Sequence, residues 1–294
     1  MKQRVLFSTP LAKVTEHHCR PHDRGCGREE HSTTDEIVFV RGGAFTRHVG
    51  RRHQTLNANH VAFFHRHAPY RVSHPVEWGD DCLAIWIRPD VLGEIVTQSD
   101  PAARDRSTLF SCSQGPCDSR LHFRAMTLFR ALAAGTLADA SAEEALLALA
   151  QSAVAAALGS HERRPVRQGP DTNRAHAELV EATKAELSRQ FSQRISLDDL
   201  ARQVHSSPFH LARVFRRDTG LSIHAYRHQL RLRSALDRLA EDGRDLTALA
   251  LELGFYDHGH FTAAFRRAFG QTPSRFRRTA STHHLGDLST IFQA

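Results

Sequence analysis

The chain has no run of eighteen or more consecutive apolar residues, so its sequence offers no obvious membrane-spanning helix. Its opening stretch, Met1 to Val14, carries scattered charges and lacks the long apolar core of a secretory signal. Together these absences lead us to expect a cytoplasmic protein whose five cysteines are reduced thiols rather than disulfides.

What is present is enough for two domains. The chain has 294 residues, and 40% of them are hydrophobic. The formal net charge of +7 is unevenly placed. Residues 174–280 hold 18 Arg and Lys against 12 Asp and Glu, whereas residues 1–173 hold 21 against 19. A surplus concentrated in the last third suits a phosphate-binding surface, although a solvated basic face has the same composition.

Three textures follow one another along the chain. Between Glu36 and Arg88, short apolar runs such as Ile37-Val38-Phe39-Val40, Val61-Ala62-Phe63-Phe64 and Leu83-Ala84-Ile85-Trp86-Ile87 alternate with Gly and Asn turns. This spacing predicts a small all-β barrel or sandwich. A helical pair follows. Leu121, Ala125, Leu128, Phe129 and Leu132 form one stripe, and Leu146, Leu149, Ala150, Ala153, Val154, Ala157 and Leu158 form another. Ser141 with Glu144 reads as a capping box, and Gly135 lies in the connection. Such a pair either covers the barrel or also forms a dimer interface. His161 to Asn173, with two prolines, a glycine and no apolar period, reads as a linker.

The last third repeats itself. Leu197, Leu200, Ala201 and Val204 return as Leu246, Leu249, Ala250 and Leu253; Leu211, Phe215, Arg216, Arg217 and Gly220 return as Phe261, Phe265, Arg266, Arg267 and Gly270. The offset grows by one residue between these sets, in the turn at His205-Ser206 and Gly254-Phe255-Tyr256. Each copy has the pattern of a helix-turn-helix. A short helix with one apolar face leads to a turn, then to a capping residue (Ser207 or Asp257), a basic second helix and a glycine stop. Ser222 to Glu241, free of Gly and Pro, predicts a connecting helix of about 30 Å. That length is close to the roughly 34 Å repeat of duplex DNA, so two reading helices could meet successive major-groove segments.

Residues 196–278 closely resemble the DNA-binding domain of the AraC/XylS (arabinose-regulator) family of bacterial regulators. The most specific stretch is Leu249-Ala250-x-x-Leu253-Gly254-Phe255-x-Asp257-x-x-His260-Phe261-x-x-x-Phe265-Arg266-Arg267-x-x-Gly270-x-Thr272-Pro273. The resemblance implies an α+β chain. An N-terminal cupin-like β-barrel (residues 1–160) would bind effector and dimerise through its two helices. After the linker (161–173) would come an all-α domain with two helix-turn-helix units (174–280) and a C-terminal tail (281–294). It also implies a homodimer that binds promoter DNA, usually as an activator touching RNA polymerase, under the control of a small-molecule effector. The exposed positions it points to are Ser207, Phe209, Arg213, Arg216 and Arg217 in the first unit, and His258, Gly259, Thr262, Arg266 and Arg267 in the second. Arg213 suits bidentate reading of guanine, while the paired arginines suit phosphate anchoring. Ala263 stands where many relatives carry arginine, and Gly259 offers few contact atoms, so the second unit is expected to hold the backbone more than read bases.

The N-terminal half is rich in histidine and cysteine. Cys19, Cys26, Cys112 and Cys117 could close a four-thiolate zinc site, serve as redox sensors or stand as inert thiols. His65-x-His67 is similar to part of the cupin metal motif, but the matching carboxylate spacing is missing. Phe45, Phe63, Tyr70, Trp78 and Trp86 could line an effector pocket inside the barrel or simply form core. Two enzymatic alternatives fit less well. Methyl-phosphotriester repair proteins join a four-cysteine zinc domain to this type of DNA-binding domain, but with other cysteine spacings; a cupin oxygenase would need the absent carboxylate.

Overall fold

A computed structural model describes residues 2–22, 27–161, 170–239 and 245–281. The described chain is α+β, with an antiparallel sheet in the N-terminal half and helices after it. The strands are β1 (Lys2–Ser8), β2 (Ala12–Cys19), β3 (Glu29–His31), β4 (Glu36–Val49), β5 (Arg52–Asn57), β6 (His60–Phe64), β7 (Pro69–Ser73), β8 (Asp80–Ile87) and β9 (Gln114–Pro116). Helix α1 (Pro89–Ser99) precedes β9. The helices after it are α2 (Ser119–Ala134), α3 (Asp139–His161), α4 (Pro170–Gln190), α5 (Leu197–Gln203), α6 (Pro208–Thr219), α7 (Ile223–Arg238), α8 (Leu246–Glu252), α9 (His258–Phe269) and α10 (Pro273–Ser281).

The sheet runs β1-β2-β8-β4-β6-β9, with β5 and β7 on the far half of β4 and β3 on β7. β4 joins the two halves. Its first residues pair with β6 and β8, its last with β5 and β7, and the register slips between Val40 and Gly42. A bulge there bends the strand from one layer to the other, so the apolar run Ile37–Val40 and the segment Phe45–Val49 beyond the Gly42-Gly43 pair form one strand of 14 residues. Alternation then sorts the core. Ile37, Phe39, Val61, Phe63, Leu83 and Ile85 pack beneath α1, α2 and α3, while Val38, Val40, Phe45, Ala62, Phe64 and Ala84 fill the opposite face.

Helix α3 begins at Asp139, so Ser141 and Glu144 lie inside it rather than forming its cap. Gly135 does close α2, at φ 64°. Among the described residues, α3 is long and apolar enough to cross a membrane, yet Leu146, Leu149, Ala150, Ala153, Val154 and Ala157 are buried against the sheet and its neighbouring helices. The expected linker shortens. Helix α3 runs to His161 and α4 starts at Pro170, a residue suited to a first helical position, while residues 162–169 lie outside the described chain.

The helical half packs on the sheet through polar groups. The turn Asn57-Ala58-Asn59 is buried between α4 and α7. Asn57 Nδ2 donates to Ser188 Oγ (2.9 Å), the Tyr226 hydroxyl donates to Asn57 Oδ1 (3.0 Å), and Asn59 Nδ2 donates to the Tyr226 carbonyl (3.1 Å). The Glu181 carboxylate accepts from Thr55 N–H at 2.5 Å and from Lys184 at 2.9 Å. Arg233, fully enclosed, donates to the carbonyl of Ala58 (2.9 Å), to Asn59 Oδ1 and to the carbonyl of Cys117.

Two outcomes are expected. Arg233→Met leaves three buried acceptors unpaired and lowers unfolding free energy by about 3 kcal/mol. Arg238→Met, which removes a half-exposed 3.4 Å pair with Glu252, changes it by less than about 1 kcal/mol; urea titration compares them. The second outcome concerns pH. His60 and His122 are held neutral, well below their ordinary pKa of 6.5, first by burial and then by nearby cations (Lys184 and Arg233 for His60; Arg233 and Arg130 for His122). Below pH 6.5 the unfolded chain takes up protons that the folded chain refuses. Stability therefore falls as pH drops from 6.5 toward the depressed folded values, at about 1.4 kcal/mol per pH unit for each histidine. Urea unfolding near pH 7 and near pH 5 should show this loss, and His60→Gln should remove about half of it.

Candidate nucleic-acid interface

The repeat seen in the sequence folds as two like units. In the first, the Ser196 hydroxyl accepts from Asp199 N–H (3.1 Å) to open α5, and Ser207 accepts from His210 N–H (3.3 Å) to open α6. In the second, Asp245 accepts from Thr247 and Ala248 N–H (3.1 Å each) to open α8, and Asp257 accepts from His260 N–H (2.6 Å) to open α9. Four residues separate α5 from α6 and five separate α8 from α9, which accounts for the one-residue change in repeat offset. Both turns need a left-handed residue. Gly254 supplies it in the second unit at φ 81°, and His205 bears it in the first at φ 52°. Gly220 and Gly270 stop α6 and α9 at φ 73° and 75°, their N–H groups donating to the carbonyls of Arg216 and Arg266.

Each second helix buries one face and exposes another. Helix α6 buries Leu211, Val214 and Phe215; α9 buries Phe261, Ala264, Phe265 and Phe269. Outward stand Phe209 (81% exposed), Arg213 and Arg216 on α6, and Gly259, Arg266 and Arg267 on α9. Ser207 is committed to its cap. His258 and Thr262 are half-buried and face each other at 3.4 Å. Arg217 departs from its expected role: it turns toward α4 and donates to His176 Nδ1 at 2.7 Å. Partial desolvation and the Arg217 charge hold His176 below its ordinary pKa, which keeps that nitrogen an acceptor.

Part of the basic surplus points inward. Arg231 on α7 donates to the carbonyls of Phe191 (2.6 Å), Gly254 (2.6 Å) and Gln193 (3.0 Å). Burial, then the charges of Arg227 and Arg194, push its pKa down to about 10. It thereby ties the turn of the second unit to the end of α4. The expectations from sequence include neither Arg231 nor Arg233, although Tyr226, Leu230 and Arg233 share one helical stripe, a signal that could have marked Arg233 as inward-facing. Helix α7 also ends sooner than expected. Its 16 residues span about 24 Å rather than about 30 Å, and residues 240–244 lie outside the described chain.

The candidate groups of the N-terminal half are dispersed. Phe63 packs with the helices, whereas Phe45 and Tyr70 pack on the opposite face around Phe64, the strand neighbour of Phe63. Trp78 is half exposed and Trp86 is only partly buried, so the five aromatics do not enclose one pocket. Cys19, Cys82, Cys112 and Cys117 are in no disulfide, and Cys26 lies outside the described residues. The metal-ligating group gathered among the described residues is Cys19, His74 and Asp80, without Cys112 or Cys117. Burial pushes the Cys112 thiol up and the Cys117 thiol up to about 12, opposite to the shift that activates a redox thiol. His65 is half-buried, its ring 5.7 Å from that of Phe110.

Comparison with known proteins bears on the C-terminal units. Residues 200–279 match a family model described as a helix-turn-helix domain. Over 117 residues the chain is 28% identical to the bifunctional transcriptional activator/DNA repair enzyme AdaA of Bacillus subtilis, covering 39% of this chain and 56% of that protein. It is 32% identical over 108 residues to the HTH-type transcriptional activator RhaS of Pectobacterium atrosepticum, covering 37% and 39%. The chain thus spans about half or less of these relatives. Among solved structures, unsaturated fatty acid-bound ToxT from Vibrio cholerae aligns over 92% of this chain and 95% of its own, at 11% identity and a TM-score of 0.38.

Proposed function

We propose that this chain, whose residues 200–279 match a helix-turn-helix domain, is a sequence-specific DNA-binding transcription regulator of the AraC/XylS family. One observation carries the reading: α6 and α9, capped and terminated alike, each bury an apolar face and leave arginines in solvent. An exposed helix face of this kind fits the major groove. In this reading Arg213, exposed in the middle of α6, reads bases, while Arg216, Arg266 and Arg267, exposed near the helix ends, hold phosphates.

The remaining roles follow from this reading. Residues 1–160 form a cupin-like effector and dimerisation domain, and residues 174–280 form the DNA-binding domain of a cytoplasmic homodimer that acts as an activator through RNA polymerase. The chain is a regulator rather than an enzyme. A small effector would sit where it touches both halves. A cavity of about 440 Å³ lies there, lined by Arg52, His60 and Gln114 from the first half and by Lys184, Thr219 and Tyr226 from the second.

The test begins by selecting bound sequences from random duplexes. On the selected site, Arg213→Ala should lose about 1–3 kcal/mol of discrimination against random DNA. Arg267→Ala should weaken binding to both DNAs equally and reduce the salt slope by about one. Equal losses on both DNAs for both variants would contradict the assignment.

A further inference from the structure

The geometry points to a zinc site at one end of the β2–β8 pair, ligated by Cys19, His74 and Asp80. The antiparallel register sets Cys19 directly opposite Asp80, and His17 opposite Cys82. With a period of two, all four side chains share one face of the sheet. His74 reaches the same place from the turn after β7. Its side chain is fully enclosed, with Nε2 at 2.6 Å from Asp80 Oδ1. One sulfur, one nitrogen and one oxygen donor from these three residues lie within 4.8 Å of one another.

The backbone is built to bring them together. Gly43 and Gly79 both adopt left-handed conformations, at φ 69° and 72°. A Cβ on Gly79 would sit 2.0 Å from the carbonyl oxygen of Cys19, and one on Gly43 would sit 1.9 Å from the carbonyl oxygen of Gly79. Three chain segments therefore touch at a point where no side chain fits, and Ala44 N–H holds the stack by donating to Gly79 O (3.2 Å). The carboxylate is also oriented: Cys82 Sγ donates to Asp80 Oδ2 at 2.9 Å, which leaves Oδ1 facing His74.

The donor set selects the ion. Thiolate, imidazole and one carboxylate oxygen suit Zn²⁺, which takes such ligands at about 2.0–2.3 Å in a tetrahedron. Mg²⁺ and Ca²⁺ want oxygen throughout. Three protein donors leave one position for water, and the partly exposed Cys19 gives a route in. Binding is an exchange without oxidation or reduction. The Cys19 thiol releases its proton to solvent and His74 binds as the neutral ring with its proton on the nitrogen away from the ion, as Zn–S, Zn–N and Zn–O bonds replace water on the ion. The turn that carries His74 also touches the helical half, since Arg189 Nε of α4 donates to the Pro75 carbonyl at 2.5 Å. A bound ion would stiffen that contact; any effect of this on DNA binding rests on the DNA-binding reading, whereas the site itself does not.

The full reduced chain, stripped with a chelator, is titrated with Co²⁺ and then Zn²⁺. One equivalent of Co²⁺ should give tetrahedral visible bands with a sulfur-to-cobalt charge-transfer band, and Zn²⁺ should abolish both. Cys19→Ser should erase the charge-transfer band and weaken Zn²⁺ binding by more than about a hundredfold, beyond the range for losing a supporting group. Cys112→Ser should change nothing. Should Cys19→Ser fail to fold by circular dichroism, His74→Gln decides the question, with the sulfur band kept but the affinity lost to a similar degree. Absence of stoichiometric binding by the folded chain would overturn the proposal. So would a charge-transfer band that survives Cys19→Ser and disappears with Cys112→Ser. No DNA enters these measurements, so their outcome is separate from that of the DNA-binding test.

Discussion

The arrangement of the molecule depends on two guanidinium groups buried along α7. Isolated charges are costly to remove from water, and the bonds described for Arg231 and Arg233 run to backbone carbonyls and one amide oxygen rather than to carboxylates. Each donates in several directions at once, which a planar fork of five N–H groups allows and an ammonium does not. Arg233 holds the sheet through the β5–β6 turn and the carbonyl of Cys117, just ahead of α2. Arg231 holds the end of α4 and the turn of the second helix-turn-helix unit. One helix therefore fixes both helix-turn-helix units relative to each other and to the N-terminal half, and a change at either end must work against these bonds.

This constraint is why the basic surplus of the last third is an imperfect guide to the exposed basic surface. The C-terminal units were largely legible from sequence. Their caps, glycine stops and the one-residue offset are local features, and local chemistry sets them wherever the chain goes. Arg217, Arg231 and Arg233 read as surface charge because their acceptors come from other elements. His176, Gly254 and Cys117 are 41, 23 and 116 residues away, respectively. The N-terminal half was less legible for the same reason. The apolar runs of β4, β6 and β8 showed themselves, but β1, β2 and β5 carry mixed polarity, and pairing rather than composition makes them strands. The aromatic pocket failed because Phe63 lies on the helix-covered face of the sheet and Phe45 and Tyr70 on the other. Cys19 was singled out, but its companions His74 and Asp80 become neighbours only through the β2–β8 register and the turn that precedes β8.

The interface between the halves is unusual in being both buried and polar. Thr55, Asn57 and Asn59 bond across it to Glu181, Ser188 and Tyr226, beside a histidine that must stay neutral. Such a contact is specific in register and sensitive to small displacements, because a partly satisfied polar network costs more than an apolar one. A ligand in the adjoining cavity, or an ion at the turn that meets α4, would act on this network rather than on α6 and α9 themselves.

Hydroxyl-radical footprinting of the full chain on a selected duplex tests the central claim most directly. The shortened α7 makes the spacing depend also on where α6 and α9 attach to it, so the experiment probes geometry as well as contact. Two protected patches on one face of the DNA, about one helical turn apart, are the predicted result. A single patch, patches on opposite faces, or protection without sequence preference would contradict it.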